Sequence, residues 1–172
     1  MTLPKLPSLL GFLLLILAAG FAQAQQTISS FKHLTIDNGL SQNSINTILQ
    51  DSRGFMWFGT QDGLNRYDGY SFLQYRNERG NNNSISNNYI WDLYEDADHI
   101  LWIATFGGGL NSLDLATGEI HRYNKSHESS SFPSNRIFCI AEDQTGQMWL
   151  GSNEGLIRFN KSTKESKLTL SQ

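Results

Sequence analysis

GFMWFGTQDGLNRYDG (54–69) sets a tryptophan among strand-forming residues, follows it with a Gly-Leu pair and closes on an Asp-Gly turn. Nearly the same stretch returns as HILWIATFGGGLNSLD (99–114) and as GQMWLGSNEGLIRFN (146–160). Trp57, Trp102 and Trp149 are 45 and 47 residues apart, and Asp51, Asp96 and Asp143 keep the same spacings. So do Ile45, Ile90 and Ile137, with Asn43, Asn88 and Asn135 just upstream. A fixed period of this length marks a repeat architecture, in which each unit is one supersecondary element.

Turn residues divide each unit into four short strands. The first is INTILQ (45–50), IWDLYE (90–95) or IFCIAE (137–142), rich in β-branched and aromatic residues. A turn follows in DSRG and DQTG, where Asp accepts backbone N–H groups and Gly tolerates positive φ. The middle copy reads DADH, and His99 in the glycine position is expected to strain that turn. The second strand is MWFGT, LWIAT or MWLGS, and the third GLNRYD, GLNSLD or GLIRFN, ending on Asp68, Asp114 or Asn160. YSFLQY (70–75), EIHRY (119–123) and SKLTL (166–170) make the fourth. No helical periodicity is sustained beyond the N-terminal apolar run.

Four antiparallel strands every 45–47 residues predict an all-β fold, a partial β-propeller of three four-stranded antiparallel blades. A parallel β-helix would use shorter coils. The tryptophans are expected between adjacent blades, with Gly59, Gly151 and Ala104 leaving room where neighbouring backbones crowd. The segments expected are a signal peptide (1–24), an entry strand and linker (25–43), and blades at 44–76, 77–123 and 124–172.

The N-terminus reads as an export signal: Lys5, the apolar LLGFLLLILAAGFA (9–22), and the small-x-small Ala22-Gln23-Ala24. The apolar run is short for a membrane anchor. Cleavage after Ala24 removes one Lys and leaves 12 basic against 16 acidic residues, a formal charge of −4. A mild acidic excess without a basic stripe argues against nucleic acid or an anionic membrane as partner. The single cysteine, Cys139, lies in an apolar run and is expected to be a small buried residue.

The residues FKHLTIDNGLSQNSINTILQDSRGFMWFGTQDGLNRYDGYSF (31–72), with the motif D-x-x-G-x-[LM]-W-[FIL]-G-[TS]-x-x-G-[LI], resemble the two-component regulator propeller of hybrid sensor histidine kinases of Bacteroidetes-type bacteria. The resemblance covers residues 31–165; His99, Ala104 and the extra glycine of FGGGL depart from the motif. It implies an exported, periplasmic sensor segment, with further blades, a membrane helix and kinase modules elsewhere in a longer protein. Three blades are fewer than a closed ring, so the chain reads as part of such a sensor, and FKHLTI (31–36) as a strand that could complete a last blade.

No G-x-S-x-G, H-E-x-x-H or phosphate loop occurs, so no catalytic residue, cofactor or metal is assigned. EDADH (95–99) lacks the glycine and terminal Glu of a calcium loop. Asp51, Asp96 and Asp143 read as turn residues, and Asn43, Asn88 and Asn135 as caps at strand entries. Binding is expected where the second-to-third-strand loops, with Gln61, Asp62, Phe106, Asn153 and Glu154, share a face with the polar loops RNERGNNNSISNN (76–88) and NKSHESSSFPSN (124–135). Amides, carboxylates and an exposed ring suit a hydroxyl-rich ligand, so an oligosaccharide is expected. A secreted carbohydrate-binding or scaffold module, or a fragment of a propeller glycan hydrolase, are the rival readings.

Overall fold

The computed structural model describes residues 31–125 and 132–169; the expected signal peptide lies outside them. A compact unit covers Leu34–Gln172. Its described residues form three four-stranded antiparallel sheets, each with its strands in chain order. Sheet 1 contains β1 (Ile45–Gln50), β2 (Met56–Thr60), β3 (Gly63–Tyr67) and β4 (Phe72–Tyr75). Sheet 2 contains β5 (Ile90–Glu95), β6 (Ile100–Thr105), β7 (Gly109–Asp114) and β8 (Ile120–Tyr123). Sheet 3 contains β9 (Ile137–Glu142), β10 (Met148–Ser152), β11 (Gly155–Phe159) and β12 (Ser166–Thr169).

The first strands are neighbours from sheet to sheet, β1 beside β5 and β5 beside β9. Asp92 on β5 ties them: Oδ1 accepts from the Thr47 hydroxyl (3.4 Å) and Oδ2 from the Ile140 amide (2.8 Å). Sheets joined along their first strands and stacked face to face are propeller blades.

Two cores fill the gaps between blades. Trp57 and Leu64 of the first sheet meet Ile90, Leu93, Leu101, Ile103 and Leu113 of the second. Trp102, Ala104 and Leu110 of the second meet Ile140, Met148, Leu150, Ile157 and Phe159 of the third. Trp57 and Trp102 are 0% and 1% exposed, and a ring that size withdraws about 150–250 Å² from water. The alternation that turns one face of each strand inward leaves the outer faces of the first and third sheets uncovered among the described residues. Ile48 is 57% and Leu156 43% exposed there.

Three expectations need correction. Residues 31–35 form no strand; the chain runs into a 3-10 turn (Ile36–Asn38) capped by Thr35. A strand needs an edge to take its N–H and C=O groups, whereas here the Asn38 side chain accepts from the Thr35 amide and Thr35 Oγ1 from the Asp37 amide. Cys139 is exposed, because a register slip between Ile137 and Cys139 changes the alternation along β9, so that Ile137 and Ile140 are both buried while the thiol turns to the uncovered face of sheet 3. The small residue at position 59 makes room for side chains rather than backbone: a Cβ there would stand 2.6 Å from Thr47 Cγ2 and 2.7 Å from Ile90 Cγ2.

Candidate functional site

The two ends of the stack are built differently. At one end lie the turns between first and second strands. Asp51 Oδ1 accepts the amides of Arg53 and Phe55, while Oδ2 accepts the Trp57 indole N–H at 2.9 Å. Asp96 does the same with Asp98, Ile100 and Trp102 (2.8 Å), and Asp143 with Thr145, Gln147 and Trp149 (2.8 Å). Each Asp therefore clasps the turn and fixes its tryptophan six residues on. Burial pushes the Asp51 and Asp96 carboxyls up, but the indole, the amides and, at Asp96, Lys161 outweigh it and hold both below the ordinary range. The Thr145 hydroxyl and the Trp149 indole lower Asp143, again aided by turn amides.

His99 sits in the middle turn at φ 60, where Gly54 and Gly146 take φ 90 and 79. The strain expected of this substitution is therefore present as a left-handed non-glycine residue. The imidazole Nδ1 reaches Ser52 Oγ at 2.9 Å, linking two blades. Asp51, Asp96 and Asp143 are thus each occupied by their own turn and tryptophan.

At the opposite end the second-to-third-strand loops meet the loops between blades, as their sequence placement implies. The Gly63 amide donates to Asn88 O (2.7 Å), and the Gly107 and Gly109 amides both donate to Asn135 O (2.8 and 2.9 Å). Asn88 and Asn135 also take, on Oδ1, the amides of Asn77 (2.6 Å) and Lys125 (2.8 Å), and Asn43 takes that of Ile36 (3.0 Å). The recurring asparagines thus clamp the entering chain to the loop before it.

The sequence-selected residues are spread along this end rather than gathered in one cluster. Gln61 is exposed. Asp62 pairs with Arg76 at 3.0 Å and accepts from Asn88. Glu154 pairs with Lys125 at 3.3 Å, and Asn153 Oδ1 accepts from Ser134. Phe106 alone joins a larger group, with Tyr89 (5.3 Å between ring centroids), Trp91 (5.8 Å, stacked) and Phe138 (6.3 Å), and the Arg136 guanidinium lies 4.9 Å from its centroid.

Sequence reasoning missed Trp91 and Phe138 because a β-bulge places them. In every sheet the first strand slips register by one residue, between Ile45 and Thr47, between Ile90 and Asp92, and opposite Gly151/Ser152. The extra residue in each is Asn46, Trp91 or Phe138, released from the ladder and re-aimed. The available signal was the aromatic residue directly after Ile90 and Ile137, where plain alternation would bury one side only.

A family model described as two-component regulator propeller matches residues 39–62, 84–107 and 131–154, one match over the first two strands of each sheet. The chain carries three two-component regulator propeller repeats. Over 64 residues these repeats are 47% identical to a protein named histidine kinase P4 of Formosa agariphila, a match covering 37% of this chain and 5% of that one. They superpose with TM-score 0.74 and 28% identity on a crystal structure of the extracellular domain assigned to hybrid two-component system BT3049 of B. thetaiotaomicron, covering 80% of this chain and 20% of that one. The extracellular domain assigned to hybrid system BT4673 of the same bacterium gives 0.63 and 31%, covering 78% and 19%. The regulator propeller repeats described here thus span about a fifth of the extracellular domains they resemble. Among the described residues no helix is long and apolar enough to cross a membrane.

Proposed function

We propose that this chain is the ligand-sensing propeller segment of an exported, periplasmic two-component sensor. It binds an oligosaccharide without catalysis at the loop end of its blades and signals through a kinase portion beyond this segment. One observation carries the reading: a scaffold repeated three times with its Asp–Trp clasps carries, at the end away from those clasps, the long polar loops between blades, whose sequences differ between copies. Loops of that kind on a rigid frame are where recognition is placed. Its relation to extracellular domains of hybrid two-component systems supplies the sensor context. Further blades of the same protein would cover the apolar outer faces around Ile48 and Leu156.

The test is a thermal-shift screen of the purified chain against neutral and acidic oligosaccharides. A concentration-dependent rise in Tm with at least one glycan is expected. Unchanged melting across the whole set removes the oligosaccharide from the reading.

A further inference from the structure

The aromatic group at the loop end belongs to neither inter-blade core. Tyr89, Trp91, Phe106 and Phe138 are all half-buried, so each leaves ring surface in water. Trp91 stacks on Phe106 at 29° and meets Phe138 edge-on at 5.7 Å. A cluster with this much apolar surface needs a cause other than blade packing, since blade 1 forms the same bulge with Asn46, whose amide simply donates to Ile90 O at 2.7 Å. The bulge is thus common to the scaffold, and its aromatic occupant is particular to blades 2 and 3.

The loop that carries Phe106 is built to hold the ring still. Its amide donates to Tyr89 O (2.9 Å), the next glycines bond Asn135 O, and Phe106 bridges to Arg136. The inserted glycine is required: a Cβ at Gly108 would collide with the Ser86 hydroxyl and stand 2.8 Å from Asn87 Cβ. A platform fixed in advance loses little entropy when something binds it.

Arg136 sets the charge of the site. Its side chain is exposed, its guanidinium lies over Phe106, and no described carboxylate pairs with it. Arg76 at the same end differs in being neutralised by Asp62. A guanidinium held over a ring face keeps its N–H donors for other partners, and a carboxylate or a sulfate takes two of them in parallel hydrogen bonds. The adjacent rings offer flat apolar surface of the kind that the C–H face of a pyranose covers.

We propose that Trp91, Phe106 and Phe138 with Arg136 form a subsite for an anionic sugar, a uronate or a sulfated residue, within an oligosaccharide. This rests on the oligosaccharide reading above and narrows it to a charged unit seated between blades 2 and 3. The sugar ring lies against the aromatic surface that this cluster leaves in water, and Arg136 takes the anionic group.

The experiment is titration calorimetry of the full chain with three probe sets: oligogalacturonates, sulfated galactan oligosaccharides and neutral galactan oligosaccharides. Binding of one anionic set is expected, at least about tenfold tighter than the neutral set, and which set binds identifies the anion. Arg136→Gln should remove that advantage and Arg136→Lys restore part of it, while Trp91→Ala should weaken binding of every bound glycan. Arg136 is exposed, so its variants are expected to keep the wild-type urea midpoint, and Trp91→Phe retains a ring should Trp91→Ala fail to fold. Equal binding of neutral and anionic sets with a silent Arg136→Gln overturns the subsite and leaves the oligosaccharide reading standing. Binding that ignores both Arg136→Gln and Trp91→Ala places the glycan elsewhere and overturns the subsite alone. No binding by any set overturns both.

Discussion

Trp102 and Trp149 occupy the same place in consecutive blades and make the same 2.8 Å indole bond to an aspartate six residues upstream. Trp102 is 1% exposed, and Trp149 is only half-buried. Asp96 is buried with its tryptophan, whereas Asp143 is exposed. The clasp is therefore made within one sheet by local geometry, and its burial is conferred by the next sheet. Local hydrogen bonding sets the tryptophan's rotamer; the neighbouring blade supplies the hydrophobic gain.

The largest effect should come from emptying the two positions in turn. Trp102→Ala leaves a cavity against Ile140, Met148 and Phe159 and takes a donor from buried Asp96, so a loss of about 3–5 kcal/mol is expected in urea unfolding. Trp149→Ala, facing water on one side, should lose about 1–2 kcal/mol. Equal losses would break the comparison.

Next in size is the small residue two positions on. Gly59→Ala drives a methyl into Thr47 and Ile90 in the closed interface, and about 1–3 kcal/mol should be lost. Gly151→Ala meets only the Cys139 sulfur, on an exposed side chain that can swing aside, so its cost should stay under about 1 kcal/mol. Urea midpoints of the two variants measure the difference directly.

The smallest effect is the acid response of the clasps. Asp51, Asp96 and Asp143 all titrate below the ordinary carboxylate value when folded. A lowered folded value favours the charged native form, so this stabilisation is complete above the unfolded value and is lost as pH falls through the folded one. Stability should be level from neutral pH to about 5 and decline below about 4. Asp96→Asn should shallow that decline, and an unchanged slope would remove Asp96 from the account.

Much of this architecture can be read from punctuation. The D-x-x-G turns, the W-x-G strands and the Asp or Asn that ends each third strand recur at fixed offsets, and all twelve strands lie where these marks place them. Asp68, Asp114 and Asn160 each accept two following amides, the turn chemistry their side chains favour. What escaped depends on contacts between distant residues. FKHLTI has strand composition but adopts no strand, because propensity alone does not provide an edge to pair with. Cys139 sits in an apolar run yet faces outward, since only the next sheet decides which side of a strand is inside. Among the site candidates, Phe106 was legible as a loop aromatic. Its partners were not, because a bulge shifts a residue between faces without changing the composition of the strand.

The stacking of blades is tested most directly by hydrogen exchange at the tryptophan indoles, followed residue by residue in NMR spectra of the indole-labelled chain. The three clasped indoles have near-identical bonds, so hydrogen bonding alone would protect them alike. Slow exchange at Trp57 and Trp102 with markedly faster exchange at Trp149 is the result expected when each sheet covers the one before it. Three equal rates, or a fast Trp57, would contradict that arrangement.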